Sequence, residues 1–167
     1  TTDDSKKEDR RQALGMRAFA YLTLVQMYQH TYAGHENAPA VPIVLETTEP
    51  DVLSNNPRAS VKEVYDLIEK DLVQAHSDLS SYQRLNSTYI DQTVISGLLA
   101  RMYLLKEDWT NAAKYAKEAR ASYGAPADKA ELIDEGYIDM NKHHTWMFTS
   151  HITTCLLYTS PSPRDCS

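Results

Sequence analysis

Six histidines, two cysteines and many carboxylates give this 167-residue chain the side chains for metal or acid–base chemistry. Their spacing decides whether any of that chemistry is organised. His30 and His35 stand at i, i+5 with Glu36 adjacent, and His143-His144 with His151 form a looser group. Neither has the i, i+4 placement by which one helix presents two imidazoles to a zinc ion. They are read as exposed loop histidines, and no metal or cofactor is expected. A glycosidase needs two carboxylates held across a cleft, whereas most Asp and Glu here fall on the polar faces of expected helices. The sequence contains no serine nucleophile elbow, Gly-rich phosphate loop or CxxC, and 5 glycines leave little room for such turns. No enzyme is expected.

The 11 tyrosines point elsewhere. A flat ring with a polar rim stacks on the C–H face of a sugar as readily as on another ring, so a loop tyrosine is a candidate carbohydrate platform. Tyr21, Tyr28, Tyr65, Tyr103, Tyr115 and Tyr123 fall within expected helices, where packing accounts for them. Tyr32, Tyr82 and Tyr89 fall in expected loops. Around Tyr32, His35 and Asn37 add hydrogen-bonding groups suited to hydroxyls, so Tyr32, His35 and Asn37 form the candidate ligand-binding set.

The elements that would position these residues centre on the stretch from Asp91 to Gly124, which reads as two helices folded back on each other. Val94, Ile95, Leu98, Leu99, Met102 and Leu105 recur at helical spacing, and Ala112, Tyr115, Ala116, Ala119 and Tyr123 do so after a polar turn. Asp108 stands where a carboxylate would cap the second helix. Small residues on that helix let the backbones approach closely. Leu99, Tyr103, Trp109, Ala112 and Ala119 are assigned to packing, in a spacing that matches the tetratricopeptide pattern.

Residues 1–10 read as a solvated lead-in or the first exposed turn of a helix. From about Arg11 a helix is expected, with Leu14, Ala18, Tyr21, Val25 and Tyr28 on one stripe and Phe19, Leu22 and Leu24 widening it, so the helix belongs in an interior. It should close near Ala33-Gly34. Pro39, Pro42, Pro50 and Pro57 then forbid helix, leaving a long loop with VPIVL as a short extended piece. Ser60-Val61-Lys62-Glu63 is a capping box. The helix it opens carries Val61, Val64, Ile68, Leu72, Ala75 and Leu79 on one face, with Lys62, Glu63, Asp66, Glu69, Lys70 and Asp71 largely off it. A short helix is expected around Asp128 to Glu135, and Trp146-Met147-Phe148 reads as a strand or a buried extended segment.

Composition narrows the class further. With 42% hydrophobic and 24% charged residues the chain is an ordinary globular protein. A formal net charge of −6 disfavours a nucleic-acid surface, which needs clustered Lys and Arg. No apolar run approaches a membrane span, and no basic-then-apolar signal region opens the chain. Cys155 and Cys166 lie outside the helical body, so no disulfide framework holds the core.

Several segments together resemble one family. Arg17-Ala18-Phe19-Ala20-Tyr21 with Leu24-Val25 and Met27-Tyr28, then Val41-Pro42-Ile43-Val44, PRASVKEVYDLIEKDL, LLARMYLLKEDWTNAAKYAKEA and LIDEGYIDMNKHHTWMF, resemble in order the successive segments of SusD-like (RagB/SusD) proteins. The resemblance implies a mainly α fold of tetratricopeptide-like antiparallel helical hairpins, present here as an incomplete domain. It also implies a surface-exposed lipoprotein of the cell outer membrane. Such a protein binds oligosaccharide without catalysis and delivers it to a SusC-like TonB-dependent transporter, touching the membrane only through a lipid anchor missing from this chain. The sequence departs from the family in lacking the lipidated Cys and the C-terminal half, and in Asp91-Gln92-Thr93, where Ala-Thr-Lys is usual. Residues 1–154 are therefore expected to be a fragment of a SusD-like helical domain. Residues 155–167 are expected to be non-native or disordered, since CLLYTSPSPRD resembles translated sequencing adapter. The alternative is a soluble tetratricopeptide-type protein–protein interaction scaffold. The long Pro-rich segment from Gly34 to Pro57 speaks against it, because tandem arrays join helices by short turns.

Overall fold

The structure, a computed structural model, describes residues 2–49, 55–122, 126–130 and 146–149, with the backbone alone for residues 2–8. In chain order the elements are α1 (Thr2–Tyr28), β1 (Pro39–Pro42), β2 (Arg58–Ser60), α2 (Val61–Asp78), α3 (Gln92–Leu105) and α4 (Trp109–Ala121). The protein is mainly helical. α1 packs chiefly on α2 and α3 on α4, and α2 against α3 joins the two pairs. Arg17 on α1 pairs with Asp71 on α2, while Arg10 and Asp78 share a cleft one end further along, so these two helices run antiparallel.

α1 takes the helical alternative over its first residues and departs from expectation at its C-terminal end. It begins at Thr2, because the Lys, Glu and Arg of its first turns are good helix formers that need no burial. It stops at Tyr28 and not near Ala33-Gly34, where Gln29 turns its side chain to the Pro39 carbonyl and ties the helix end to β1. Gly34 does take the left-handed conformation (φ 81°), but within the turn closed by His35 N donating to Tyr32 O at 3.0 Å. The expected interior position of α1 is also corrected in part. Ala18, Tyr21, Leu22 and Val25 are buried, yet Met27 and Tyr28 are 70% and 63% exposed. At Gly15 a Cβ would stand 3.0 Å from Ile95, which sets how closely α1 approaches α3.

The expected long loop contains a two-stranded antiparallel ribbon. Pro39 pairs with Ser60 and Pro42 with Arg58 across an irregular register. Prolines at both ends of β1 remove ladder donors. The Arg58 guanidinium compensates by donating to the Ala40 and Pro39 carbonyls. Beyond β1, the Tyr21 hydroxyl accepts from Val44 N at 2.7 Å and so anchors the chain to α1.

Caps at the other helix starts follow the sequence closely. At α2, Glu63 N donates to Ser60 Oγ at 3.2 Å and Ser60 N to the Glu63 carboxylate at 2.7 Å. Asp91 accepts from Val94 N at 2.9 Å, and Asp108 from Asn111 N at 3.1 Å. The α3–α4 turn places Glu107 at φ 61°, the only non-glycine at positive φ among the described residues. The core comprises Ala18, Tyr21, Leu22 and Val25 of α1, Val64, Ile68 and Leu72 of α2, and Ile95, Leu99 and Met102 of α3. Leu99, Tyr103, Ala112 and Ala119 are buried, whereas the Trp109 ring is 63% exposed.

Trp146-Met147-Phe148 is a bent stretch, not a strand. Phe148 meets Phe19 edge-on at 6.2 Å, and Thr149 N donates to Ser87 O at 3.0 Å. The expected helix at 128–135 lies mostly outside the described residues, as does the tail at 155–167.

Candidate functional site

Tyr32, His35 and Asn37 lie in one turn between α1 and β1. The Tyr32 ring is half-buried, meets Tyr65 edge-on at 4.9 Å and has Lys106 Nζ 5.4 Å from its centroid. His35 and Asn37 are exposed, and the His35 ring lies 5.1 Å from that of His30.

The Tyr32–Lys106 contact is one end of a polar seam where α2 meets α3 and α4. Lys106 Nζ pairs with Glu69 at 2.6 Å, and the Tyr103 hydroxyl donates to Glu69 at 2.8 Å. Burial, and then that hydrogen bond, push the Tyr103 hydroxyl above its ordinary pKa. The Tyr103 ring stacks on Tyr115 (5.7 Å, 5°), and Tyr115 meets His76 edge-on at 5.6 Å. His76 Nε2 reaches Glu118 at 2.5 Å and Ser96 Oγ at 3.1 Å.

Serine, histidine and glutamate in contact raise the question of a catalytic triad, and the geometry answers it. A triad needs nucleophile and orienting carboxylate on opposite ring nitrogens. Here both partners meet Nε2, and Ser96 Oγ is itself bonded to Gln92 O and Glu118 at 3.0 Å. Ser96 is fully buried, so no substrate reaches it. Partial burial opposes ionisation of Glu118, but the His76 and Ser96 hydrogen bonds outweigh it and hold the carboxyl below its usual range. The cluster ties α2, α3 and α4 together.

A second buried polar contact lies on the opposite flank of α2. Asp71 is 2% exposed and receives both Arg17 Nε at 2.7 Å and Arg17 Nη2 at 2.9 Å. Arg17 Nη1 extends to the exposed Glu46 at 2.8 Å. The hydrogen bond to Asp71 raises the Arg17 pKa against the opposing effect of burial. Sequence periodicity had set Asp71 off the buried face, and Arg17 corrects that by carrying the neutralising charge inward. This pair floors a cleft of about 500 Å³ whose rim includes Arg10, Lys70 and Asp78, with Leu14 and Leu67 beneath.

A smaller pocket of about 340 Å³ lies between the turn after α2 and the start of α3, lined by Tyr82, Gln83, Arg84, Asp91, Gln92 and Thr93 among others. Arg84 Nε pairs with Asp91 at 2.9 Å, and Arg84 Nη1 donates to Met147 O at 2.5 Å. Of this group Tyr82 stood out in the sequence as a loop tyrosine, and Asp91-Gln92-Thr93 as a departure from the family pattern. The remaining signal was the polar cluster SSYQRLNSTY followed at once by Asp91-Gln92-Thr93. Two further grooves are apolar. One, of about 390 Å³, includes Phe19, Leu98, Arg101 and Trp146, and the other, of about 410 Å³, lies between Leu104, Trp109 and the outer alanines of α4. Among the described residues no group of His, Cys, Asp and Glu could hold a metal ion, and no helix is long and apolar enough to cross a membrane.

Comparison with known proteins fits this architecture. Residues 1–104 match the family SusD-like_3, described as "Starch-binding associating with outer membrane". Among solved structures, a SusD-like carbohydrate binding protein from Bacteroides vulgatus is 29% identical with a TM-score of 0.69, over 75% of this chain and 27% of that one. A SusD superfamily protein from Bacteroides fragilis is 27% identical with a TM-score of 0.65, over 79% of this chain and 31% of that one. One from Bacteroides thetaiotaomicron, at 23% identity and a TM-score of 0.66 over 77% of this chain and 28% of that one, shares the fold. The chain thus spans 27–31% of the length of these structures. No curated protein matches it.

Proposed function

The chain belongs to the SusD-like family, and from that premise we propose that it is part of a protein that binds oligosaccharide without catalysis at the cell surface. The protein delivers its ligand to a SusC-like TonB-dependent transporter and is held at the outer membrane by a lipid anchor. The observation that carries this reading is the family match over residues 1–104, which spans α1 to α3. The 29% identical structure named as a SusD-like carbohydrate binding protein supports it. The ribbon between α1 and α2 weighs against a tandem tetratricopeptide adaptor, since it replaces the short turn such arrays use.

Two measurements test the proposal. On a glycan array the protein should bind oligosaccharide, and a reducing-end assay on the bound glycan should detect no cleavage. In native outer membranes, mild crosslinking should recover a TonB-dependent transporter with it. Absence of any glycan binding, or steady release of new reducing ends, would sink the reading.

A further inference from the structure

We propose that the cleft between α1 and α2 is a seat for a carboxylate-bearing sugar, a uronate unit of an acidic oligosaccharide, and that the exposed Glu46 carboxylate occupies the seat in its absence. This rests on the glycan-binding reading and adds the place and charge class of the ligand. At about 500 Å³ the cleft falls within the range of ligand sites, about 300 to 1,000 Å³.

The seat is built from the floor upward. Asp71 accepts from Arg17 Nε at 2.7 Å and from Nη2 at 2.9 Å, and at 2% exposed it is sealed from solvent. That forked contact fixes the planar guanidinium, so Nη1 is aimed outward at a set position. A carboxylate meets it there. Glu46 Oε2 accepts from Nη1 at 2.8 Å, at the end of a side chain that is 76% exposed. A hydrogen bond from its own backbone N–H, then the Arg17 and Arg10 guanidinium groups, hold the Glu46 carboxyl below its ordinary range. An exposed ion pair of this kind contributes little, so a better-placed carboxylate displaces it. The chain's own residue thus marks the chemistry that the seat accepts.

Charge and shape around the seat favour an acidic sugar over a neutral one. Arg10 and Lys70 line the same cleft, and neither makes a hydrogen bond or an ion pair among the described residues. Arg17 and Asp71 neutralise each other, and Asp78 accepts from Gln74 Nε2 at 3.0 Å. With Glu46 swung out, the cations Arg10 and Lys70 outnumber the carboxylate that remains, Asp78. Leu14 and Leu67, both partly buried, offer apolar surface to the C–H face of a pyranose. The turn that carries Glu46 is itself braced, with Leu45 N donating to Thr48 Oγ1 at 2.9 Å and Thr48 N to Leu45 O at 3.0 Å. Displacing Glu46 therefore needs only a rotation of its side chain, and the turn stays in place.

The test titrates the intact chain by isothermal calorimetry with hexagalacturonate, neutral galactohexaose and a hexaglutamate peptide. Hexagalacturonate should bind most tightly, and added salt should weaken it more than the neutral sugar. Arg10→Ala and Lys70→Ala should each weaken hexagalacturonate by about threefold, and Glu46→Ala should tighten it by about threefold because the internal competitor is gone. Arg10, Glu46 and Lys70 are exposed, so these changes should leave the melting temperature near that of the parent. Galactohexaose binding as tightly as hexagalacturonate, or an affinity that Glu46→Ala leaves unchanged or weakens, would overturn the seat. Tighter binding of hexaglutamate would overturn it in favour of an acidic peptide. A chain that binds a glycan on the array but not hexagalacturonate loses the seat alone, and one that binds no glycan loses both readings.

Discussion

The two flanks of α2 and the outer surfaces of α1, α3 and α4 are built on opposite terms. α2 is stitched on one side to α1 by Arg17 and Asp71, and on the other to α3 and α4 through Glu69 and His76. Among the described residues no buried side-chain nitrogen or oxygen lacks a partner. The outer surfaces instead expose Met16, Leu24 and Met27 on α1, and Leu104 and Trp109 at the α3–α4 rim. The contrast separates two kinds of contact. Polar pairs at α2 fix how the helices register, whereas the outer apolar side chains gain nothing from water and serve only where something covers them.

The largest expected effect breaks the polar side. Arg17→Met leaves the Asp71 carboxylate buried without its partner, which should cost about 3–5 kcal/mol in a urea melt. A loss under about 1 kcal/mol would show that Asp71 reaches water. Tyr103→Phe removes one of two donors to Glu69 and should cost about 1 kcal/mol, because Lys106 still holds that carboxylate. At the α3–α4 turn, Glu107→Gly relieves a left-handed conformation and should raise stability by about 0.5–1 kcal/mol. A lowered melting temperature would mean that the Glu107 side chain is needed elsewhere.

Acid sharpens the comparison further. The folded-state pKa of Glu118 is depressed below the 4.5 of a free glutamate. Its contribution is therefore present above about pH 4.5 and fades as pH falls through the lower folded value. Glu118→Gln should differ from the parent at neutral pH and converge with it toward about pH 3, as read from melting temperature against pH. A difference that persists at low pH would assign the effect to packing. The smallest expected change in stability is on the apolar side. Leu104→Glu with Trp109→Glu should alter the melt by no more than about 0.5 kcal/mol for each exposed site. The same pair should abolish self-association measured by light scattering, and a parent chain that is already monomeric would contradict that.

The sequence legibility follows the range of each interaction. The Ser60–Glu63 box, the Asp108 cap and the Val61-to-Leu79 stripe act within a few residues, so periodicity and local chemistry exposed them. Asp71 was set on the polar face because its partner lies 54 positions away on another helix. Tyr32 was legible as a loop tyrosine, but not as a neighbour of Tyr65 and Lys106, because those residues come from α2 and the C-cap of α3. Gln83 drew no notice, and Thr93 was noticed only as part of Asp91-Gln92-Thr93, for the same reason. Only the fold sets the turn after α2 against the first turn of α3. Trp109 carries the spacing of a packing residue but stands at the rim, since the pattern gives the periodicity of a helix and not which neighbours arrive.

The ribbon between α1 and α2 also bears on the order in which the chain folds. α3 and α4 are joined by residues 106–108 alone, so their contact is local and closes at little entropic cost. α1 and α2 are separated by residues 29–60, and Gln12 must find Ile90 across 78 positions. The ribbon shortens that search. Gln29 reaches the Pro39 carbonyl, and Val61 N and Lys62 N donate to Ala38 O and Glu36 O, so the end of one helix is tied to the start of the next. The α3–α4 contact is thus the most local helix pairing among the described residues, and the α1–α2 pairing closes the longer loop.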